Sequence, residues 1–183
     1  MKALPTRFQM VIVFGTAIIY VLIHALTGWI FKNAEYATGV NWFYLPAGVR
    51  LIAILLFAEA GAVGVLIGSF VAAFGFVFVK DPITATGGAL ISAIAPYLSY
   101  RLILARLGLE SSLANFTAAR LLACCVIYAL LNAAGQQIWY TFRNISEASL
   151  QGFLVMFVGD LLGTLVVVYS IKILLALTPR FRS

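Results

Sequence analysis

The sequence has few charged residues. Of its 183 residues, 12 are lysine or arginine and 6 are aspartate or glutamate, so charged residues make up 10% of the chain. Typical soluble domains carry about 25%, and this shortage excludes an ordinary soluble globular protein. Hydrophobic residues instead reach 63%, and the mean hydropathy is +1.06. These values predict an integral membrane protein.

Histidine and cysteine are also scarce. The chain has one histidine, His24, and two adjacent cysteines, Cys124 and Cys125. One histidine cannot supply both axial ligands of a haem, and no cluster of histidine and cysteine shows metal-ligand spacing. Because vicinal cysteines rarely form a bridge, we expect both to be small buried hydrophobic residues. No metal or other cofactor is expected.

Catalytic motifs are absent from the sequence. It contains no Gly-x-Ser-x-Gly elbow, no glycine-rich phosphate-binding loop and no pair of carboxylates on one helix face. We therefore expect a protein without enzymatic activity. The net charge is +6, but the basic residues are scattered at predicted helix ends rather than interleaved with aromatic residues, which argues against nucleic-acid binding.

Long apolar runs predict one all-α domain, residues 1–183, built as a bundle of about six transmembrane helices. The predicted spans are 8–31, 46–59, 61–79, 84–106, 117–139 and 149–177. The first run is too long for the core of a cleavable signal peptide, so we expect it to remain as a span. A turn at 59–61 is predicted to join the second and third spans in a tight hairpin; if that turn is helical, the count falls to five and the topology inverts downstream.

The distribution of basic residues predicts the orientation. With the N-terminus in the cytoplasm, the outer loops contain three basic residues, Lys32, Lys80 and Arg143. The cytoplasmic ends of the spans then contain eight: Lys2, Arg7, Arg101, Arg106, Arg120, Lys172, Arg180 and Arg182. This imbalance follows the positive-inside rule and predicts that both termini lie in the cytoplasm.

Two ionisable residues fall inside predicted spans. Arg50 begins one apolar run, and Asp160 stands alone in another. A charge at membrane depth costs on the order of a few kcal/mol unless it is compensated. We predict either an Arg50–Asp160 ion pair that locks the second span to the sixth, or a cavity in the outer half of the membrane that both residues face. The polar residues expected around them are His24, Asn132, Gln136, Gln137 and Thr164.

Small residues indicate close helix packing. Gly64 and Gly68 form a Gly-x-x-x-Gly step, which lets helix backbones approach each other in lipid. The full predicted face comprises Gly61, Gly64, Gly68, Ala72 and Gly75, and a second small-residue face contains Gly159 and Gly163. We expect a neighbour within the chain; a homo-oligomer or another membrane protein is the alternative.

Aromatic residues flank several predicted span ends. Because aromatic rings collect at the membrane–water interface, five residues are predicted to be interface anchors in contact with lipid: Trp42, Phe43, Tyr44, Trp139 and Tyr140. Pro46 is predicted to occupy the first turn of the helix that follows.

Three short segments carry a family resemblance: Trp-Phe-Tyr-Leu-Pro-Ala-Gly-Val-Arg-Leu at 42–51, Gly-Val-Leu-Ile-Gly-Ser-Phe at 64–70, and Val-Gly-Asp-Leu-Leu-Gly at 158–163. Together they resemble the bacterial membrane-associated sensor domain of the first type. That family has a Trp-Pro-x-x-Gly-like helix start and a late Asp-x-x-Gly. The resemblance implies a multi-pass protein of the bacterial inner membrane that takes part in signal transduction.

The chain departs from that family in two ways. The family usually has about eight helices fused to an output domain such as a diguanylate cyclase or histidine kinase, and neither feature is found here. Trp42 and Pro46 are also separated, whereas the family has an adjacent pair. We therefore expect a non-enzymatic sensory or interaction module that works through helix packing with a partner protein.

A second resemblance rests on size, six spans and orientation, and it is to the substrate-binding subunits of energy-coupling-factor vitamin transporters. Those subunits carry an Ala-x-x-x-Ala docking step on the first helix, whereas the stretch from Ala17 ends at Val21. This resemblance implies a subunit that binds a small molecule. A third alternative is an accessory subunit that packs against a larger membrane complex through the small-residue face of the third span.

Overall fold

The computed structural model describes residues 6–107, 117–145 and 148–177. Its α-helices are α1 (Thr6–Ile30), α2 (Pro46–Ala72), α3 (Pro82–Leu107), α4 (Ala118–Phe142) and α5 (Leu150–Leu177). A 3₁₀ turn (Lys32–Ala34) and two short antiparallel strands, β1 (Glu35–Ala37) and β2 (Val40–Asn41), connect α1 to α2. A π-helical turn (Ala73–Val77) extends α2.

The chain is an all-α, multi-pass membrane protein. Four segments of its described part are long and apolar enough to cross a membrane: Thr6–Ile30, Pro46–Val77, Ala118–Phe142 and Leu150–Leu174. Helix α3, predicted as a span at 84–106, is not among them. Pro46 lies in the first turn of α2, as predicted. Of the basic residues used to predict the orientation, Lys2, Arg180 and Arg182 lie outside the described residues.

Helix α2 reverses direction at Ala58, whose φ of 47° and ψ of −118° are far from helical values. In a straight helix, Arg50 and Gly68 would lie about 27 Å apart. Both instead contact Tyr20, Arg50 through the tyrosine hydroxyl and Gly68 through the ring. The reversal lies next to the turn predicted at 59–61. The predicted second and third spans thus fall in one helical element with two limbs, 46–57 and 59–72.

Glycines bring the two limbs of α2 against different neighbours. A side chain at Gly61 would collide with the Ala53 carbonyl, so the limbs touch each other close to the reversal. Gly64 lies against Thr16 of α1, and Gly48 lies against Val167 of α5. Helices α2, α3, α4 and α5 close into a ring, and α1 packs against α2. The small-residue face therefore finds its neighbour within the chain, as expected, although no atom of the described residues lies within 4 Å of a Cβ added at Gly75.

The bundle has two different ends. We call the end with the β strands and the α2–α3 and α4–α5 connections the loop end, and the end with Ala58 the reversal end. The reversal end contains the larger apolar core, in which Ile54 and Val65 from the two limbs of α2 pack with Ile103 of α3. Cys124 and Cys125 belong to this core and are free and buried, as predicted. A smaller core around Val40 lies at the loop end.

Candidate binding site

A cavity of about 380 Å³ lies inside the bundle toward the loop end. Its volume falls in the range of roughly 300–1,000 Å³ that is usual for small-molecule sites. All five helices and the β1–β2 segment contribute to its lining. The lining residues with polar side chains are Tyr20, His24, Thr27, Glu35, Thr38, Asn41, Tyr44, Arg50, Ser69, Ser92, Asn132, Gln136, Tyr140 and Asp160.

Arg50 lines one part of this cavity, and its guanidinium group is bound by two tyrosines. Its Nε donates to the Tyr20 hydroxyl at 3.2 Å, and its Nη2 donates to the hydroxyls of both Tyr20 and Tyr44. The guanidinium carbon lies 5.2 Å from the centre of the Tyr20 ring and 5.0 Å from that of Tyr44, within the range of cation–π attraction. The side chain is 4% exposed, so these two tyrosines hold a buried charge in place.

His24 extends the same network. Its Nδ1 is 3.2 Å from the Tyr44 hydroxyl, which is itself 3.1 Å from the Tyr20 hydroxyl. Tyr20 and His24 stand one turn apart on α1, so they lie on the same face of the helix. The sequence prediction included His24 and missed Tyr20. A pair of polar aromatic residues at this spacing in an apolar run is the signal that could have identified both.

Residues of α3, α4 and α5 form a second polar group on the cavity. Asn132 donates its Nδ2 to the Asp160 carboxylate at 2.6 Å. One turn further along α4, the Nε2 of Gln136 donates to the Gly88 carbonyl at 3.0 Å and to the Ser92 hydroxyl at 3.1 Å.

Within the described ranges, three polar atoms on the cavity lining are buried without a hydrogen-bond partner: Asn132 Oδ1, Gln136 Oε1 and Ser69 Oγ. The orientation of each amide is fixed by its donor, since a flipped amide would direct oxygen at the Asp160 carboxylate or at the Gly88 carbonyl. An unsatisfied buried polar group costs about 1–3 kcal/mol. The amide oxygens are therefore acceptors that a bound molecule could satisfy.

The predicted ion pair between Arg50 and Asp160 is wrong. Within the described residues, no carboxylate oxygen lies within 4.0 Å of the Arg50 guanidinium; the salt bridge that does form joins Arg143 to Asp81 at 3.3 Å. Tyrosine hydroxyls occupy two of the three Arg50 nitrogens, and Asn132 occupies the Asp160 carboxylate. Both charged residues nevertheless line the same cavity, which corresponds to the other arrangement considered from the sequence.

Two of the polar residues predicted for this site do not line the cavity. Gln137 lies on another face of α4, where its Oε1 accepts from the Ser149 backbone N–H at 3.0 Å and its Nε2 is 3.7 Å from the Met156 sulfur. Thr164 is fully buried and donates to the Asp160 backbone carbonyl at 2.6 Å. Both side chains satisfy their hydrogen bonds within the protein, so neither is oriented toward a ligand.

The predicted interface anchors divide into two groups. Trp42 and Phe43 are exposed, and Trp139 is half-buried with its indole N–H donating to the Thr84 carbonyl at 3.3 Å. Tyr44 and Tyr140 instead line the cavity, so these two do not face lipid as predicted, and their position at the depth of the membrane interface stays a prediction. Their hydroxyl groups can form hydrogen bonds inside a polar cavity, which a purely apolar ring cannot do.

The β1–β2 segment covers the loop end of the cavity. Glu35, Gly39 and Asn41 contribute to the lining. Gly39 has a φ of 76° and comes so close to Tyr140 and Val77 that a side chain would be crowded at 3.1–3.2 Å. The Tyr44 N–H donates to the Gly159 carbonyl at 3.2 Å, and Gly159 is in direct contact with Asn41. The sequence contained no pattern that predicted these strands.

Another polar cluster lies at the loop end, outside the cavity. Asp81 precedes α3 and accepts from the Thr84 backbone N–H at 3.1 Å and from the Thr84 hydroxyl at 2.6 Å. Arg143 adds a salt bridge from the end of α4. These hydrogen bonds, with Thr84 the larger cause and Arg143 the smaller, lower the pKa of Asp81 below its ordinary value. The cluster joins the start of α3 to the end of α4, and Asp81, Thr84 and Arg143 do not line the cavity.

No known family model, curated protein sequence or solved structure matches this chain. The resemblances to sensor domains and to vitamin-transporter subunits therefore stay predictions. No group of three potential metal-ligating side chains occurs in the part of the chain that the structure describes. The function is accordingly inferred from the geometry of the cavity.

Proposed function

We propose that this protein binds a small polar molecule inside the membrane. The observation that carries the proposal is the pair of buried amide oxygens, Asn132 Oδ1 and Gln136 Oε1, that line a cavity of about 380 Å³ and lack a partner. Buried polar groups in native proteins are nearly always hydrogen-bonded, and exceptions call for a functional explanation. Two such exceptions one helical turn apart favour a site that a ligand completes.

We also propose that the chain crosses the membrane in six segments, with both termini in the cytoplasm of a bacterial cell. The reversal at Ala58 supports this count, because it returns the second limb of α2 to the end from which the first limb came. The predicted excess of basic residues on one side supports the orientation. In this arrangement the cavity lies in the outer half of the membrane and takes its ligand from outside the cell.

A ligand-binding membrane protein of this kind serves either sensing or uptake, and both roles need a partner. In the sensory role, ligand binding changes how the bundle contacts a signalling protein. In the uptake role, the bundle passes its ligand to a translocating protein. Purification in mild detergent distinguishes them through the partner that is recovered, a signalling protein or an energy-coupling subunit. The accessory role has weaker support, because Gly64 and Gly68 already contact α1.

The ligand itself can be detected by mass spectrometry of protein that is freshly purified and then denatured. We expect the wild-type protein to release a small molecule that Gln136→Met does not release, since methionine removes the free acceptor. Gln137→Met is the matched control, because this neighbouring glutamine does not line the cavity and its amide oxygen accepts from the Ser149 backbone N–H. Folding of each variant is checked by gel filtration.

Two results would overturn the binding proposal. One is a wild-type protein that releases no small molecule and shows no thermal shift across a broad panel of metabolites. The other is an equal loss of the bound molecule in Gln136→Met and Gln137→Met when both are folded, because this would mean that the molecule is not held by the cavity.

A further inference from the structure

We infer that the ligand of the cavity is a small zwitterion that carries both a primary ammonium group and an anionic group. This inference rests on the binding function proposed above and adds the chemical class of the ligand. It follows from the two charges that line the cavity and from the unpartnered acceptors beside Asp160.

The cavity contains two buried charges of opposite sign that do not pair with each other. Arg50 and Asp160 are each 4% exposed, and neither has an ionic partner within 4.0 Å among the described residues. Their hydrogen-bond partners within the protein are uncharged groups. Arg50 donates to tyrosine hydroxyls, and Asp160 accepts from the Asn132 amide. Buried charges without ionic partners are costly.

A ligand with one group of each sign compensates both charges and leaves the net charge of the site unchanged. A simple cation would neutralise Asp160 and leave Arg50 without an ionic partner, and a simple anion would do the reverse. Within a membrane this difference is large, because charges in a low-dielectric medium interact strongly and are poorly screened. Charge balance therefore selects a zwitterion.

The ammonium group is selected by the acceptors near Asp160. Among the described residues, the acceptors without a partner on that side are the amide oxygens of Asn132 and Gln136. The Asp160 carboxylate already accepts from Asn132, but an ionised carboxylate has lone pairs for further hydrogen bonds. A primary ammonium group has three N–H donors and no acceptor, so its donors match these acceptors in number and kind. A quaternary ammonium group has no N–H and would leave the amide oxygens unsatisfied.

The anionic group is selected by Arg50. Tyr20 and Tyr44 fix the guanidinium through hydrogen bonds and ring contacts before any ligand arrives. A pre-positioned guanidinium recognises carboxylate or phosphate oxygens without paying the entropy of ordering a long side chain. Both a free amino acid and the headgroup of an ethanolamine phospholipid carry the required pair of groups.

The test uses wild-type protein in nanodiscs of phosphatidylcholine, a lipid whose headgroup has no N–H donor. Thermal shift and calorimetry are run with a panel of neutral amino acids. Each amino acid is compared with its amide, which lacks the carboxylate, and with its N-acetyl derivative, which lacks the ammonium group. We expect an amino acid to bind and both derivatives to lose at least about tenfold in affinity, as when one partner of a buried charge pair is removed.

A second arm replaces phosphatidylcholine with phosphatidylethanolamine and adds no free ligand. A rise in the unfolding temperature that Asp160→Asn abolishes would identify a lipid headgroup as the source of the zwitterion. Asp160→Asn is nearly isosteric. In the first arm this variant should bind the amino acid more weakly than the wild type does, whereas its affinity for the N-acetyl derivative should be close to that of the wild type. The wild-type panel alone decides the inference if this variant does not fold.

The inference and the binding proposal fail in different ways. Binding only of cations, only of anions or only of uncharged molecules would overturn the zwitterion and leave the binding function intact. Absence of any ligand effect in either arm, together with no molecule released on denaturation, would overturn both.

Discussion

The two ends of this bundle use the same helices for opposite purposes. At the reversal end, Ile54 of α2 and Cys125 of α4 are fully buried in an apolar core. At the loop end, Arg50 of α2 and Asn132 of α4 line a cavity and leave polar atoms without partners. The difference indicates that the reversal end stabilises the fold, and that the loop end gives up stability for a binding site.

The difference between the two ends can be understood from the free energies involved. Truncating a buried leucine or isoleucine to alanine costs about 2–5 kcal/mol, and each unsatisfied buried polar group costs about 1–3 kcal/mol. A bundle with one closed apolar end can therefore tolerate a few unsatisfied groups at the other. Sites of this kind commonly trade stability for function.

The largest effect is expected at the reversal itself. Gly61→Val would drive a side chain into the Ala53 carbonyl and separate the two limbs of α2. We expect a loss of more than about 3 kcal/mol, at or beyond the usual cost of overpacking, seen as aggregation or a much lower unfolding temperature. Gly75→Ala is the control, because its added Cβ meets no atom within 4 Å in the part of the chain that the structure describes. Equal stability of the two variants would contradict the reversal.

A smaller loss is expected in the apolar core. Ile54 is fully buried and does not line the cavity. Ile54→Ala should lower the free energy of unfolding by about 2–4 kcal/mol through the cavity it leaves, while ligand affinity stays within about twofold of wild type. Chemical denaturation and ligand titration in the same detergent measure both quantities. A large loss of affinity would show that the two ends are not independent.

At the loop end the sign of the effect should reverse. The Ser69 hydroxyl is buried on the cavity without a partner, so Ser69→Ala should stabilise the ligand-free protein by about 1 kcal/mol. Ser99 is the matched serine outside the cavity, and its hydroxyl donates to the Ala95 carbonyl at 2.8 Å. We expect no gain from Ser99→Ala. If thermal unfolding shows that both variants lose stability equally, the unpartnered Ser69 hydroxyl does not destabilise the loop end.

The smallest effect is expected at Asp81, on the loop-end surface. Its pKa is lowered in the folded protein, first by the hydrogen bonds from Thr84 and then by Arg143. A lowered carboxyl pKa stabilises the fold above the ordinary value of 3.8, and this stabilisation is lost as the pH falls through the folded-state pKa. The unfolding temperature of the wild type should therefore fall slightly more than that of Asp81→Asn in acid. Because exposed pairs contribute little, a large difference would mean that Asp81 is not a surface group.

Much of the helical framework could be predicted from the sequence. Apolar runs indicate helices because the bilayer requires backbone groups to be satisfied within each segment, and Pro46 marks a helix start. The turn at 59–61 was predicted close to the reversal at Ala58. The short β1–β2 segment was not predicted, because strands of three and two residues are too short to show an alternating pattern, and their contacts with α5 form only in the folded bundle.

The site could be predicted only in part. Arg50 and Asp160 stand out because charges are rare in apolar runs, and both line the cavity. Their partners were not predictable, since Tyr20 and Arg50 are 30 positions apart and meet only in the folded bundle. Gln136 and Gln137 differ by about 100° around the same helix, and the sequence does not reveal which of them faces inward.

The reversal at Ala58 has a consequence for how the protein enters the membrane. The limb at 46–57 has 12 residues and is about 18 Å long, shorter than the roughly 30 Å hydrocarbon core, and it carries Arg50. We expect that it does not insert alone, and that the longer second limb carries it into the bilayer as a paired unit. Arg50 would then reach its tyrosines during synthesis of α2, and the binding site would begin to assemble before α4 and α5 are made.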